Sequence, residues 1–106
     1  MLHLALHFVV PALVVALFYR KRWRSAYAWL IGTMVVDIDH VLADPIYDPG
    51  RCSIGFHPLH DPWFIGLYLL LCLPPQTRLI GIGLSIHMAL DSLDCQLTNG
   101  VWISPV

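Results

Sequence analysis

Histidine and aspartate are the residues in this sequence best suited to chemistry. Six histidines stand at 3, 7, 40, 57, 60 and 87, and all seven acids are aspartate, at 37, 39, 44, 48, 61, 91 and 94. His3 and His7 are four residues apart, the spacing that puts two side chains on one helix face. Asp37, His40 and Asp44, three and four apart, also share a face, as do His87, Asp91 and Asp94. Between these groups, Gly55-Phe56-His57-Pro58-Leu59-His60-Asp61 adds two more imidazoles on a stretch too rich in breakers for a helix. Imidazole with carboxylate is a ligand set for zinc, manganese or iron, whereas calcium sites are oxygen-rich. The supply exceeds one tetrahedral site. It suits one ion with an extensive hydrogen-bonded surround, or two ions sharing a carboxylate. The expected ligands are Asp37, Asp39, His40, His87 and Asp91, then His7 and His60, then His3 and His57. Asp94 or Asp61, left off the metal, is the expected general base.

Plainer roles compete at each position. The same histidines and aspartates can form a purely structural hydrogen-bond network. Asp44, Asp48 and Asp61 lie in Pro-rich sequence where turn and cap residues are common, and Asp94 can simply be a helix-end residue facing water. Ser53, Ser85 and Ser92 sit in no nucleophile-elbow pattern. No phosphate-cradling glycine loop occurs; Gly32, Gly81 and Gly83 read as small residues that let helices approach.

Elements must bring these residues together. Of 106 residues, 58% are hydrophobic and 12% charged, with a mean hydropathy of +0.68. A soluble domain carries about 25% charged residues. The composition argues against an ordinary soluble domain, a disordered chain and a nucleic-acid binder, which needs a basic surface. Apolar runs at 2–19, 26–43, 63–73 and 79–93 read as four spans, with residues 44–62 a loop holding Pro45, Pro49, Pro58 and Pro62. No Lys or Arg precedes residue 20, so the first run reads as a retained helix rather than a signal peptide. Arg20, Lys21, Arg22, Arg24 and Arg78 fall in the first and third connections, which the positive-inside rule makes cytoplasmic. Every His and Asp then falls near the opposite face. The expectation is an all-α, single-domain (1–106) integral membrane four-helix bundle, with N- and C-termini on the outer, periplasmic side of a bacterial inner membrane.

Cys52 and Cys95 both fall outside in that topology, where an oxidising compartment permits a disulfide between them. Two free thiols, one of them a metal ligand, is the competing reading. Cys72, inside the third run, reads as apolar packing.

Met1-Leu2-His3 with His7, Val36-Asp37-Ile38-Asp39-His40, Ala43-Asp44-Pro45-Ile46-Tyr47-Asp48-Pro49 and Cys52-Ser53-Ile54-Gly55-Phe56-His57-Pro58-Leu59-His60 resemble a family of small bacterial inner-membrane proteins over nearly the whole chain. A looser resemblance is to the inner-membrane proteins assigned as metal-dependent hydrolases, among them a LexA-regulated member. That group carries an early His, a D-x-D-H at a helix end, a loop motif of the H-x-x-x-H type and a late H-x-x-x-D. The matching residues here are His7 or His3, then Asp37, Asp39 and His40, then His57 and His60, and finally His87 and Asp91. Through it the chain is remotely similar to zinc-dependent phospholipase C and P1-type nucleases, all-helical enzymes with clustered zinc. His57-Pro58-Leu59-His60 departs from the group, with two residues between the histidines instead of three and no Thr-His-Ser.

The resemblance and the expected topology together imply a membrane-embedded hydrolase holding one or two divalent ions, zinc before manganese or iron. Its substrate would be a lipid phosphoester or ester at the outer face, and its partners the bilayer and a second copy in a homodimer. A metal-stapled accessory protein is the alternative. A metal-ion carrier is a further one, disfavoured because the cytoplasmic halves of the first two spans are almost wholly apolar.

Overall fold

Proline and short polar interruptions cut the apolar sequence into helices of unequal length. A computed structural model describes residues 2–42, 52, 54–55 and 57–103, without the side chains of 2–4 and 38–41. Among the described residues it is all-helical, with no strand. Helix α1 spans Leu2–Phe18 and runs through Pro11. A 3₁₀ turn at Arg20–Arg22 leads into α2, Trp23–Gly32, which passes into a 3₁₀ helix at Thr33–Leu42. Thr33 marks that change. Its hydroxyl donates to the Leu30 carbonyl at 2.6 Å, a local bond that competes with the α-helical ladder. A short 3₁₀ turn at Pro58–His60 then precedes α3, Pro62–Leu71, and α4 covers Arg78–Asn99.

The ends of α3 and α4 are fixed by their sequence. Asp61 caps α3, its carboxylate accepting from Trp63 N at 3.1 Å, and Pro62 occupies the first turn, where a missing N–H costs nothing. Arg78 donates to the Cys72 and Leu73 carbonyls at 3.0 and 2.9 Å, satisfying groups that the end of α3 leaves open. Gly100 closes α4 at φ +76°, in the left-handed region that suits glycine. The helix therefore runs six residues past Leu93, where the fourth apolar run of the sequence ends.

Helix α4 is the hub, packing against α1, α2, α3 and the long 3₁₀ helix. At Gly81 it meets α3 backbone to backbone: a Cβ there would stand 2.5 Å from Cys72 N and 2.6 Å from the Leu71 carbonyl carbon. Gly83 makes the same allowance for the Thr33 side chain. Two apolar clusters flank the middle of α4. Val15, Ala26 and Leu30 form one, and Val36, Ile54, Tyr68 and Met88 with Cys52 and Cys95 form the other. Cys52 and Cys95 are joined as a disulfide, while Cys72 is free and its thiol faces the Tyr68 carbonyl at 3.6 Å.

The membrane-spanning reading is overturned. Among the described residues no helix is long and apolar enough to cross a membrane. Helices α2 and α3, at 10 residues each, reach about 15 Å, half of a bilayer core. The 17 residues of α1 also fall short, and the 22 of α4 carry Arg78, His87, Asp91 and Asp94. A multi-pass inner-membrane placement, with its outward-facing termini, accordingly falls. The sorting of charge by sign survives as a polarity of the molecule itself. Arg78 begins α4 next to Leu79, which packs on the cluster of Val15, Ala26 and Leu30, whereas His87, Asp91 and Asp94 lie farther along the same helix.

Candidate metal centre

Four side chains from three elements meet beside the hub helix. The 3₁₀ helix brings Asp37, the turn at Pro58–His60 brings His60, and α4 brings His87 and Asp91, four residues apart on one face. His60 is placed by its surroundings. Its N–H donates to the His57 carbonyl and its carbonyl accepts from Gly55 N, both at 3.0 Å. The Tyr68 hydroxyl donates to the Leu59 carbonyl at 2.8 Å, and the disulfide ties the upstream end of the segment to α4.

The four donor atoms converge on one point. His60 Nε2 lies 3.3 Å from His87 Nε2, 3.4 Å from Asp37 Oδ1 and 2.9 Å from Asp91 Oδ2. His87 Nε2 lies 2.9 Å from Asp37 Oδ1 and 3.0 Å from Asp91 Oδ2. One ligand atom from each residue falls within 4.8 Å of all the others, a group able to hold a metal ion. A tetrahedron with zinc–nitrogen bonds of ~2.05 Å has edges of about 3.3 Å, close to the 2.9–3.4 Å of the five contacts made by the two imidazoles. Proton accounting points the same way. A neutral imidazole nitrogen offers either one N–H or one lone pair. If each Nε2 donated to a carboxylate, two N–H groups would crowd each other across 3.3 Å. A cation at the centre takes both lone pairs and both carboxylates without that conflict.

The electrostatics describe the same group without metal. Burial pushes the Asp37 and Asp91 carboxyls up, but hydrogen bonds with His60 and His87, and with His7 for Asp91, hold both well below the usual carboxylate range. Burial lowers the His87 imidazole, yet its bonds to Asp37 and Asp91 and their charges raise it to about 9. His60, His87 and Asp91 are buried, whereas the Asp37 side chain is 39% exposed, so the group opens to water on that side. His87 Nδ1 is buried without a hydrogen-bond partner among the described residues.

The remaining expected residues separate cleanly. His7 stands behind the group, its Nε2 3.2 Å from Asp91 Oδ1 and its ring edge-on to His87 at 4.5 Å. His57 is buried with its ring 5.6 Å from that of His60, but it is not among the four. Asp61 is engaged as the α3 cap, and Asp94 lies half-buried three residues beyond Asp91, outside the four-atom group. The side chains of His3, Asp39 and His40, and the whole of Asp44 and Asp48, lie outside the described residues. Tyr68 was not anticipated. Its signal was a lone hydroxyl in the otherwise hydroxyl-free run Pro62–Leu71.

An all-helical fold around a His₂Asp₂ group, three of its four side chains buried, defines a candidate metal-binding protein. The chain belongs to DUF6122, a family of unknown function, which matches residues 1–98. No curated protein and no solved structure matches it.

Proposed function

We propose that this protein is a metal-dependent hydrolase in which Asp37, His60, His87 and Asp91 hold one divalent cation of the zinc class. The convergence of two imidazole nitrogens and two carboxylate oxygens at tetrahedral-edge spacing carries the reading. Two nitrogen donors favour zinc over calcium or magnesium, with manganese and iron next. When bound, such a cation supplies Lewis acidity and a water acidified toward neutrality.

The chain's own residues do the rest. His60, His87 and Asp91 fix the buried side, and the exposed edge of Asp37 admits water and substrate. His7 holds the second oxygen of Asp91 and restrains its rotation. Asp94, outside the ligand group, is assigned proton transfer, a role Asp61 gives up to capping α3. The substrate class we favour is a phosphoester or carboxylic ester of an amphiphile. Exposed Leu42 ends the 3₁₀ helix of Asp37, and exposed Trp63 follows His60 by three residues. Trp102, also exposed, accepts a hydrogen bond at its carbonyl from Ser92, next to Asp91. The sequence resemblance to metal-dependent hydrolases points in the same direction.

Burial of three of the four side chains favours a second role, a metal that only staples a small fold. One experiment separates the two. Metal content of the purified protein is measured beside hydrolysis of bis(p-nitrophenyl) phosphate and p-nitrophenyl esters, for wild type, His87→Ala and Asp94→Asn. A hydrolase binds about one equivalent, loses metal and turnover together in His87→Ala, and keeps metal and fold but loses turnover in Asp94→Asn. No turnover in any form, with unfolding on metal removal, establishes the staple. Metal below a tenth of an equivalent after incubation with zinc, manganese or iron rejects both.

A further inference from the structure

Between about 8 and 20 Å along the chain of α1 from His7, at 1.5 Å per residue, lies a second feature that the metal centre does not use. A groove of about 370 Å³ runs between α1 and α2, lined by Ala12, Val15, Ala16, Arg20, Trp23 and Tyr27. Its volume falls in the range of small-ligand sites. Alanine at 12 and 16 lowers the α1 side and buried Val15 forms the floor. The Tyr27 hydroxyl, donating to the Phe8 carbonyl at 3.2 Å, marks one end, and Arg20 stands at the other. From Ala12 to Arg20 the groove is about 12 Å long.

Charge sets the occupant's polarity. Arg20, Lys21, Arg22 and Arg24 are all exposed, and no acid occurs in the first 36 residues. The Arg22 guanidinium lies 5.4 Å from the Tyr19 ring centre and that of Arg24 5.2 Å from Trp23, so aromatic faces order two of the four cations beside the groove. An apolar trough with exposed cations at one end, none paired with an acid among the described residues, fits a molecule with one apolar chain and one anionic head. We infer that this groove binds a single-chain anionic amphiphile of the fatty-acid type, its head at residues 20–24 and its chain along α1 toward Tyr27. A bilayer would instead engage the outward side chains Leu17 and Phe18, 73% and 75% exposed.

Calorimetric titration of the metal-loaded protein tests the assignment, with dodecanoate below its micellar concentration and dodecanol as the uncharged counterpart. The expected result is one equivalent of dodecanoate, with dodecanol weaker by about tenfold or more, since the charged head is recognised by guanidinium. Ala16→Trp, which fills the trough, should abolish binding. Arg20→Gln should weaken dodecanoate about tenfold and erase its advantage over dodecanol. Both variants should keep the wild-type metal content, so failure here is distinguishable from failure of the metal centre. Equal binding of dodecanol and dodecanoate by wild type overturns the proposal, as does undiminished binding by Arg20→Gln. So does binding seen only with phosphatidylglycerol vesicles, which makes the region a lipid-surface contact. Should Ala16→Trp fail to fold, the Arg20→Gln titration and the dodecanol comparison still decide.

Discussion

The metal centre and the cationic corner at residues 20–24 hold much of the molecule's charge in opposite ways. In the first, His60, His87 and Asp91 are buried, and every side chain of the group faces others of complementary character within 3.4 Å. In the second, four like charges stand in water with aromatic neighbours and no acid paired to them among the described residues. A buried charge is tolerable only when matched, so partner geometry dictates residue type at the centre. An exposed charge is hydrated and screened, so any one cation at the corner is nearly free to change. The centre should therefore be costly to disturb and the corner cheap.

The disulfide gives the largest expected contrast. It closes a separation of 43 residues and anchors the segment that ends in His60. Loop-closure entropy for a loop of that size is about 4 kcal/mol. Cys95→Ser should lower unfolding stability in urea by that order and also reduce zinc occupancy, because His60 loses its tether. Arg22→Gln should stay within about 0.5 kcal/mol of wild type and keep its metal. Equal losses in the two variants would break the contrast.

Next comes pH, which acts on the centre alone. The folded-state value of His87 is raised from 6.5 to about 9, so its contribution is fully present below 6.5 and is lost as pH rises through 9. Asp37 and Asp91 are depressed, so theirs is present above the ordinary value of 3.8 and lost as pH falls below it. Metal-free protein should thus be most stable between about pH 4 and 6.5, with an alkaline loss of roughly 3 kcal/mol at most by pH 9.5. Zinc should remove the alkaline loss, because the cation takes the place of the imidazole proton and binds better as pH rises. Urea midpoints at pH 6 and 9.5, in chelator and in zinc, measure both arms. An alkaline loss unchanged by zinc would mean that the cation does not sit on His87.

Much of the centre was legible because helical spacing is local. His87 and Asp91 announce themselves four residues apart, and Asp37 is an acid in an apolar run. His60 ranked behind Asp37, His87 and Asp91 in the sequence, since its position depends on the disulfide, the Tyr68 hydroxyl and a turn between prolines, contacts that span up to 43 residues. The change to 3₁₀ at Thr33 was hidden as well, because a hydroxyl bond to the preceding turn leaves no periodic trace. The membrane reading failed for a related reason. Composition counts apolar residues without saying how they are divided, and here Leu17, Phe18, Leu42 and Trp63, each more than 70% exposed, cover the outside of short elements.

Gly81 comes next in size. A methyl group at this position meets the backbone of α3, which cannot step aside as a side chain could. Gly81→Ala should force α3 and α4 apart and cost roughly 1–3 kcal/mol in urea unfolding. Gly66→Ala, with nothing within 4 Å of its Cβ, should cost nothing or stabilise slightly. A similar cost at both positions would show that the close approach of α3 and α4 is not what Gly81 supplies.

The smallest effect tests where the centre ends. Asp61 follows His60 directly, yet its carboxylate accepts the Trp63 N–H and lies near the positive end of the α3 dipole. Asp61→Ala should cost about 1 kcal/mol through the lost cap. Asp61→Ser can still cap, so it should recover most of that stability with full metal content. Asn would be a poorer choice of variant, since it also retains an oxygen able to ligate. If Asp61→Ser folds like wild type but loses metal or turnover, the carboxylate belongs to the centre and capping α3 is its lesser role. If Asp61→Ser matches wild type in all three readouts, the centre stops at His60 and the residue beside it serves only the helix.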